Sequence, residues 1–115
     1  MSFNNVYRGK KVLVTGNTGF KGSWLTAWLH ELGADVYGLA LPPENDQWLF
    51  TQAGLAKVCK HVDGDIRDQD VVRRVVREVQ PDVVLHLAAQ AIVRASYKDP
   101  VGTAATNIMG TVHLL

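Results

Sequence analysis

Three glycines, Gly16, Gly19 and Gly22, separate a short β-branched run from a stretch with helical periodicity. Glycines at a strand-to-helix turn let the chain bend sharply and let backbone N–H groups approach an anion, because no Cβ stands in the way. The helix that follows presents unpaired N–H groups and a positive dipole at its first turn. The spacing therefore predicts binding of a diphosphate, as in a dinucleotide; a strand-to-helix turn without a ligand is the alternative.

Lys21 lies in the expected first turn of that helix. A cation at this position costs about 0.3–1 kcal/mol unless an anion is close. Lys21 therefore supports an anion at the turn, although a solvated lysine that points away is an equal alternative.

Apolar periodicity divides the chain into alternating strands and helices. Short apolar runs predict about four strands, at 11–15, 35–41, 57–62 and 83–87. Helical spacing predicts helices at 20–32, at 68–79 and from near residue 100, with a short helical piece at 48–55. Strands joined through helices form right-handed crossovers. The expected fold class is α/β, a Rossmann-type doubly wound parallel sheet with helices on both faces.

Two of the predicted helices have an apolar stripe. In the first helix, which should end before Gly33, the stripe consists of Trp24, Leu25, Trp28, Leu29 and Leu32. In the second helix, for which Asp68 is the expected N-cap, it consists of Val71, Val72, Val75, Val76 and Val79. Valine is a poor helix former, so the second helix is expected to depend on packing against the sheet.

Three further polar residues occur where ligands could be bound. Asp65 should follow the third strand, at the edge of the sheet where such folds bind ligands; a turn or capping role is its alternative. His86 stands inside an apolar strand, and a core histidine with satisfied hydrogen bonds is the preferred interpretation. Arg94 could bind a phosphate with two N–H groups, but a solvated arginine is equally compatible with the sequence.

The overall composition excludes several classes of function. The 115-residue chain has a net charge of +1, which favours neither nucleic acid nor an acidic membrane surface. No apolar run approaches the length that spans a bilayer. Cys59 is the single cysteine and has no metal-type Cys/His spacing around it. We therefore expect no metal, no nucleic-acid partner, no membrane segment and a cytoplasmic location.

Four motifs occur together along the chain: Thr15-Gly16-x-x-Gly19-Phe20-x-Gly22, Asp65-Ile66-x-Asp68, His86-Leu87-Ala88-Ala89-Gln90 and Thr106-Asn107-x-x-Gly110-Thr111. This combination resembles the extended short-chain dehydrogenase/reductase family, whose members act on nucleotide sugars. Within the family, the run Lys21-Gly22-Ser23-Trp24 is most similar to the dehydratases of CDP-linked glucose. The resemblance extends from the first predicted strand to Leu115.

The resemblance implies NAD as the cofactor and a role for each matching position. The cofactor-binding positions of the turn would be Gly16, Thr18, Gly19, Phe20, Lys21 and Gly22. Asp65 would accept from the adenine amino group beside the Ile66 backbone. The segment after the fourth strand would line the cofactor through Leu87, Ala88, Ala89 and Gln90. Asn107 would brace the backbone nearby. A nucleotide sugar is the implied partner of the intact protein, and a homo-oligomer is left open.

The ribose-binding position departs from the usual pattern. An acidic residue about 20 positions beyond the glycines commonly binds the ribose hydroxyls in NAD proteins, but Ala40 occupies that place here. Glu44 or Asp46 would have to supply the contact. No Lys or Arg lies between Leu39 and Phe50, which favours NAD over a cofactor with a 2′-phosphate.

The family's catalytic Tyr-x-x-x-Lys pair is expected beyond the end of this chain, together with the sugar-binding region. Tyr7 and Lys11 have the same spacing, but they precede the first strand and their match is interpreted as accidental. The run 107–115 looks like a helix without a C-cap. We therefore expect residues 1–115 to be the first part of an NAD-binding domain, with no catalytic residue, no activity alone and an open, apolar fourth strand.

The resemblance implies a 4,6-dehydratase for the intact protein: hydride leaves C4 of the hexose, water is lost across C5 and C6, and hydride returns to C6. Two alternatives remain open. One is a nucleotide-sugar epimerase or another dehydratase of the same family. The other is a non-catalytic dinucleotide-binding module, which would lack the Tyr-x-x-x-Lys pair.

Overall fold

The computed structural model describes residues 5–41, 54–89 and 93–115. Within these residues, the sheet has four parallel strands in the order β3-β2-β1-β4. The strands are β1 (Lys11–Thr15), β2 (Asp35–Ala40), β3 (Lys60–Asp63) and β4 (Val83–His86). This arrangement confirms the α/β Rossmann-type fold class.

Helices cover both faces of the sheet, as predicted. They are α1 (Phe20–Glu31), α2 (Gln69–Val79), α3 (Val93–Lys98), α4 (Pro100–Ala104) and α5 (Gly110–Leu114), with a π-helical turn at Ala105–Met109. Leu29 of α1 packs with Val12 and Val14 on one face. On the other face, Leu13 packs with the buried valines of α2, against which Leu114 also rests.

The strand β1 lies between β2 and β4 and is the most buried element. Its residues Val12, Leu13, Val14 and Thr15 are each 0% exposed. Thr15 is level with Leu39 of β2 and His86 of β4 in the parallel register. Because these residues stand at or beside the carboxyl ends of their strands, the loops after β1, β2 and β4 begin at one edge of the sheet.

The valine stripe of α2 packs on the sheet as predicted. Val72, Val75 and Val79 are buried, and Val71 and Val76 pack beside them. Asp68 is the N-cap, with its carboxylate accepting from the N–H groups of the first turn. The packing overcomes the low helix propensity of valine.

The predicted apolar stripe of α1 is wrong in part. Trp24 is 59% and Trp28 is 53% exposed, whereas the buried face consists of Gly22, Ser23, Thr26 and Leu29. Small residues face the sheet because they let the helix axis come close to β1, and bulky indoles do not fit in that space. The helix ends as expected, with Gly33 at φ +85°.

Other boundaries differ from the prediction by a few residues. The third strand begins at Lys60 instead of residue 57, because Leu55–Lys57 forms a 3₁₀ turn. Strands β2 and β4 each end one residue early. The sequence does not predict α3, whereas it does predict the start of α4 at Pro100. Most of the predicted helical piece at 48–55 lies outside the described residues.

Over the part of the chain that the structure describes, no helix is long and apolar enough to cross a bilayer. The same residues include no group of three or more His, Cys, Asp or Glu side chains arranged for a metal ion.

We predict that the open edge of β4 makes the chain self-associate. β4 pairs only with β1 in the described sheet, and Val84 is 41% exposed. Unpaired edges attract other strands, and an edge lysine opposes such pairing. Val84→Lys should raise the dissociation constant of self-association about tenfold, measured by sedimentation equilibrium.

Val6→Lys is the matched control, because Val6 is 59% exposed but lies in a turn outside the sheet. A concentration-independent monomer for the unmodified chain would contradict the prediction, as would equal effects of the two lysines.

Candidate functional site: the glycine turn and the carboxyl edge of the sheet

Gly16 begins the turn in a conformation that favours glycine. Its φ is +76°, and an added Cβ would lie 2.8 Å from the Ala88 nitrogen and 2.9 Å from the Leu87 carbonyl carbon. The N–H of Gly16 donates to the Leu39 carbonyl at 2.9 Å. The turn therefore lies directly against the loop after β4, and two of the predicted cofactor-binding segments are brought together.

Gly22 brings the helix α1 against the same turn. A Cβ at Gly22 would stand 2.0 Å from the Gly16 carbonyl oxygen. At Gly19, the N-cap of α1, an added Cβ would meet, among the residues that the structure describes, only that oxygen, at an ordinary 3.4 Å. The three glycines thus have different roles: Gly16 and Gly22 allow close packing, and Gly19 leaves the face of the turn open.

The N-terminus of α1 has the properties of an anion site. Gly19 supplies no side-chain cap, and the first turn contains no acidic residue. The first N–H groups of a helix have no partner inside the helix, and the N-cap residue Gly19 has no side chain to replace one. A diphosphate fits this arrangement, because its oxygens would accept from these N–H groups and interact with the helix dipole.

Thr15 links the end of β1 to the loop after β4. Its hydroxyl oxygen accepts from the N–H groups of Leu87 and Ala88, each at 3.1 Å. These two bonds use both lone pairs of the oxygen, so the hydroxyl proton must be donated to His86 Nδ1, at 2.6 Å. Thr15 therefore orients the first two residues of the predicted cofactor-lining segment.

His86 is a core histidine with satisfied hydrogen bonds, as preferred from the sequence. Because Nδ1 accepts from Thr15, the ring proton is on Nε2 and is donated to the Thr111 hydroxyl at 3.0 Å. Thr111 in turn donates to the Asn107 carbonyl at 3.1 Å. Burial lowers the pKa of His86. The neutral ring thus connects β1 to the helices at the C-terminal end of the chain.

Asp65 follows β3 by two residues and is paired with Arg67. Its carboxylate accepts from the backbone N–H and from Nε of Arg67, at 2.9 and 2.8 Å, with a second guanidinium contact at 2.5 Å. The guanidinium hydrogen bonds of Arg67 lower the pKa of Asp65. The turn role left open for Asp65 is therefore realised in this structure, and its adenine contact stays a prediction.

The remaining predicted residues occupy varied environments. Ile66 is buried against Gly110, and its carbonyl accepts from His113 Nδ1 at 2.9 Å. Thr18 is buried and donates its hydroxyl proton to the Leu41 carbonyl at 2.8 Å. Four of the predicted residues are exposed: Phe20, Lys21, Ala89 and Asn107.

Asn107 lies in the π-helical turn and lines an open groove together with Tyr97, Pro100 and Ile108. Gln90, Glu44 and Asp46 lie outside the described residues, and the side chain of Arg94 is also outside the description. Ala40 is buried at the end of β2.

Tyr7 and Lys11 lie at the other end of the sheet. Lys11 begins β1 and pairs in register with Asp35, the first residue of β2. Tyr7 packs against the core cluster that contains Val12 and Leu29. The positions agree with the interpretation that their Tyr-x-x-x-Lys spacing is accidental.

Sequence reasoning missed the polar residues that hold the turn in place. Thr15, Asn17 and Ser23 are all 0% exposed. Ser23 donates its hydroxyl proton to the Asn17 carbonyl at 3.1 Å. Their signal in the sequence was their place next to glycines, where a small polar side chain can satisfy backbone groups of a tight turn.

Together, the parallel sheet, the glycine turn and the uncapped helix define a Rossmann-type domain of the dinucleotide-binding class. The sequence profile of the GDP-mannose 4,6 dehydratase family matches residues 13–115. The chain belongs to this family, and the resemblance to the extended short-chain dehydrogenase/reductases is confirmed.

The relatives are nucleotide-sugar enzymes. The chain is 50% identical over 111 residues to CDP-glucose 4,6-dehydratase of Salmonella typhimurium, covering 96% of this chain and 31% of that protein. A GDP-mannose 4,6-dehydratase of Vibrio cholerae is 34% identical, with 92% and 30% covered. The chain therefore spans about a third of the length of these relatives.

Solved structures show the same fold. The UDP-glucose 4-epimerase of Thermus thermophilus, in complex with NAD, has a TM-score of 0.78 and 35% identity, covering 90% of this chain and 32% of that one. The epimerase Mth375 of Methanothermobacter thermautotrophicus has a TM-score of 0.77 and 34% identity, covering 96% and 32%.

We predict that alanine destabilises the protein much more at Gly22 than at Gly19. Gly22→Ala should lower the free energy of unfolding by about 3 kcal/mol, because the Cβ would collide with the backbone of Gly16. Gly19→Ala should change it by less than about 1 kcal/mol, because its Cβ has ordinary space and its φ is negative. Urea denaturation of both variants measures the difference; equal losses would contradict the proposed packing.

We predict that protonation of His86 destabilises the fold. The folded pKa is below the ordinary value of 6.5, so the unfolded chain binds the proton more readily and stability is lost as the pH falls through about 6.5. His86→Asn retains an acceptor for Thr15 but no titrating group. Urea midpoints from about pH 8 to about pH 5 should therefore fall more steeply for the unmodified chain.

The other histidines, His30, His61 and His113, are common to both proteins. The difference between the two pH profiles consequently isolates His86, and parallel profiles would refute its role.

Proposed function

We propose that this chain is the NAD-binding part of a CDP-glucose 4,6-dehydratase. The observation that carries the proposal is the uncapped N-terminus of α1 above the open face of Gly19, at the carboxyl edge of a parallel sheet. Anionic ligands bind at this place in doubly wound sheets. NAD is the dinucleotide in the solved complex of the Thermus epimerase, and the sequence expectation of NAD agrees with it.

The turn residues would bind the diphosphate. The N–H groups of Phe20, Lys21 and Gly22 are at the first turn of α1, and Thr18 ties the turn to the end of β2. Lys21 is exposed beside them and would add a positive charge. The whole arrangement is fixed before a ligand arrives, because backbone contacts of Gly16 and Gly22 hold the turn. Binding would therefore require little further ordering.

The adenine and nicotinamide ends would be bound at the flanking strands. Asp65 and the Ile66 backbone, after β3, would bind adenine. Leu87, Ala88, Ala89 and Gln90, after β4, would line the other side of the turn, and Asn107 would support that loop through the contact between its carbonyl and Thr111. When bound, NAD would supply a reversible hydride acceptor, which is the chemistry that 4,6-dehydration of a hexose requires.

The proposal of CDP-glucose as the substrate rests on sequence identity. The CDP-glucose dehydratase is 50% identical to this chain, whereas the GDP-mannose dehydratases and UDP-glucuronate epimerases are at 33–36%. An epimerase or another dehydratase is the second candidate, and it is favoured by the epimerase structures of similar fold. A non-catalytic nucleotide-binding module is the third. A catalytic tyrosine with a neighbouring carboxylate pair, in the protein that contains this chain, would distinguish a dehydratase from both.

We also propose a cytoplasmic protein. The one cysteine of the sequence, Cys59, is a buried free thiol, and thiols of this kind persist in a reducing compartment.

We predict that the 115-residue chain binds NAD but does not convert CDP-glucose. Isothermal titration should detect NAD binding, and Gly19→Val should weaken it at least about tenfold, because a branched side chain would occupy the face of the turn meant for the diphosphate. Glu31→Val, at the exposed far end of the same helix, is the control and should bind NAD normally.

Normal NAD binding by Gly19→Val would refute the placement of the diphosphate. Measurable turnover of CDP-glucose by the chain would refute the view that its catalytic residues lie elsewhere.

A further inference from the structure

Asn17 is a fully buried polar residue between the first two glycines of the turn. Its side-chain amide extends across β2 and lies over Gly38. An added Cβ at Gly38 would stand 2.2 Å from Asn17 Nδ2 and 2.6 Å from Oδ1. The amide therefore occupies the space that any larger residue of β2 would fill.

Beyond β2, the Asn17 amide reaches β3. Its Nδ2 donates to His61 Nδ1 at 3.0 Å, and His61 Nε2 is 2.6 Å from Asp63 Oδ1. Because Nδ1 accepts from the amide, Nε2 carries the ring proton and donates it to the carboxylate. The His61 side chain is only 15% exposed. Asn17 and His61, hydrogen-bonded in this way and anchored on Asp63, form what we call the Asn17–His61 strut.

The backbone of Asn17 is hydrogen-bonded to α1. Its carbonyl accepts from the buried Ser23 hydroxyl at 3.1 Å. The residue is thus fixed through its backbone to the helix and through its side chain to β3, 44 positions away in the sequence. A single residue spans from the diphosphate-binding turn to the strand that precedes Asp65.

Asparagine at position 17 is energetically unfavourable in one respect, so good packing alone does not explain its presence. Asn17 Oδ1 is buried without a hydrogen-bond partner among the described residues. An unsatisfied buried polar atom is unfavourable, and an apolar side chain of similar size would avoid it. Such a replacement would lose the bond of Nδ2 to His61 and its weaker contact with Cys59 Sγ at 3.8 Å.

We propose that Asn17 is a positioning residue that sets the separation between the diphosphate-binding turn and the adenine end of the site. The proposal rests on the proposed function. Asp63 ends β3, and the following Gly64 N–H donates to the Ala40 carbonyl at 2.9 Å. The segment that leads to Asp65 is therefore tied to the sheet, and the strut holds the turn at a fixed place relative to it. A ligand that spans both places, an adenosine diphosphate, depends on that separation.

The test compares a ligand that spans the strut with one that does not. ADP-ribose carries adenine and diphosphate, whereas adenosine needs only the adenine end. Asn17→Ala and His61→Phe should each weaken ADP-ribose binding about tenfold, because a turn that is no longer held relative to β3 must be ordered when the ligand binds. Adenosine binding, measured by NMR titration, should change less than about twofold.

His61→Asn is the conservative variant, because its Oδ1 can replace Nδ1 as the acceptor for Asn17. It should retain ADP-ribose affinity within about threefold, which a loss of ring packing alone would not allow. Val75→Ala is the stability control, because Val75 of α2 is 2% exposed and packs in the core with Leu13 and Leu39. It should lower the melting temperature without weakening ADP-ribose binding.

Several results would overturn the proposal. These are unchanged ADP-ribose binding in Asn17→Ala or His61→Phe, a parallel loss of adenosine binding, or an equal loss of ADP-ribose binding in Val75→Ala. If the unmodified chain binds neither NAD nor ADP-ribose, the proposed function fails instead.

The strut can still be tested in that case by amide exchange. The Gly19 N–H, bonded to the Gly16 carbonyl at 3.1 Å, should exchange about tenfold faster in Asn17→Ala than in Val75→Ala under native conditions. Equal exchange in the two variants would refute a positioning role for Asn17.

Discussion

The contact between Gly22 and the Gly16 carbonyl is the constraint on which the rest of the site depends. With no room for a Cβ at Gly22, α1 lies as close to the end of β1 as backbone atoms allow. That distance places the N-terminus of α1 directly above the turn. It also decides which side chains of α1 can face the sheet: Ser23 and Thr26 fit there, and Trp24 is turned outward.

Short polar side chains then hold the loops that surround this contact. Thr15 connects β1 to the loop after β4, Thr18 connects the turn to the end of β2, and Asn17 connects it to β3. Each of these side chains is short and almost fully buried, so each has few alternative rotamers once packed. Burial also strengthens their hydrogen bonds, because competing water is excluded. At the carboxyl edge of the described sheet, these hydrogen bonds link the glycine turn and the end of β1 to the other three strands.

Local signals made most of the fold predictable. The β-branched run at 11–15, the Asp68 cap and Gly33 each report on a few neighbouring residues, and the corresponding boundaries of β1, α2 and α1 agree with the structure. The exposed indoles of α1 were not predictable, because hydrophobicity suggests burial while the close helix–sheet contact demands small residues. The start of β3 was also misplaced, since residue 57 can continue a turn as readily as begin a strand.

The candidate site was predictable only where its residues are contiguous. The glycine turn can be read from spacing, whereas the bond between Asn17 and His61 joins residues on opposite sides of β2 and has no local signature. The charge of Asp65 also could not be judged from its own position, because it depends on the neighbouring Arg67. The carboxylate of Asp65 would repel a diphosphate, but Arg67 pairs with it and keeps its pKa low. A paired carboxylate keeps lone pairs that can accept from an amino group while adding little net negative charge. The edge of the sheet can therefore combine an acceptor for a base with the exposed Lys21 and the N-terminal dipole of α1, which both favour an anion.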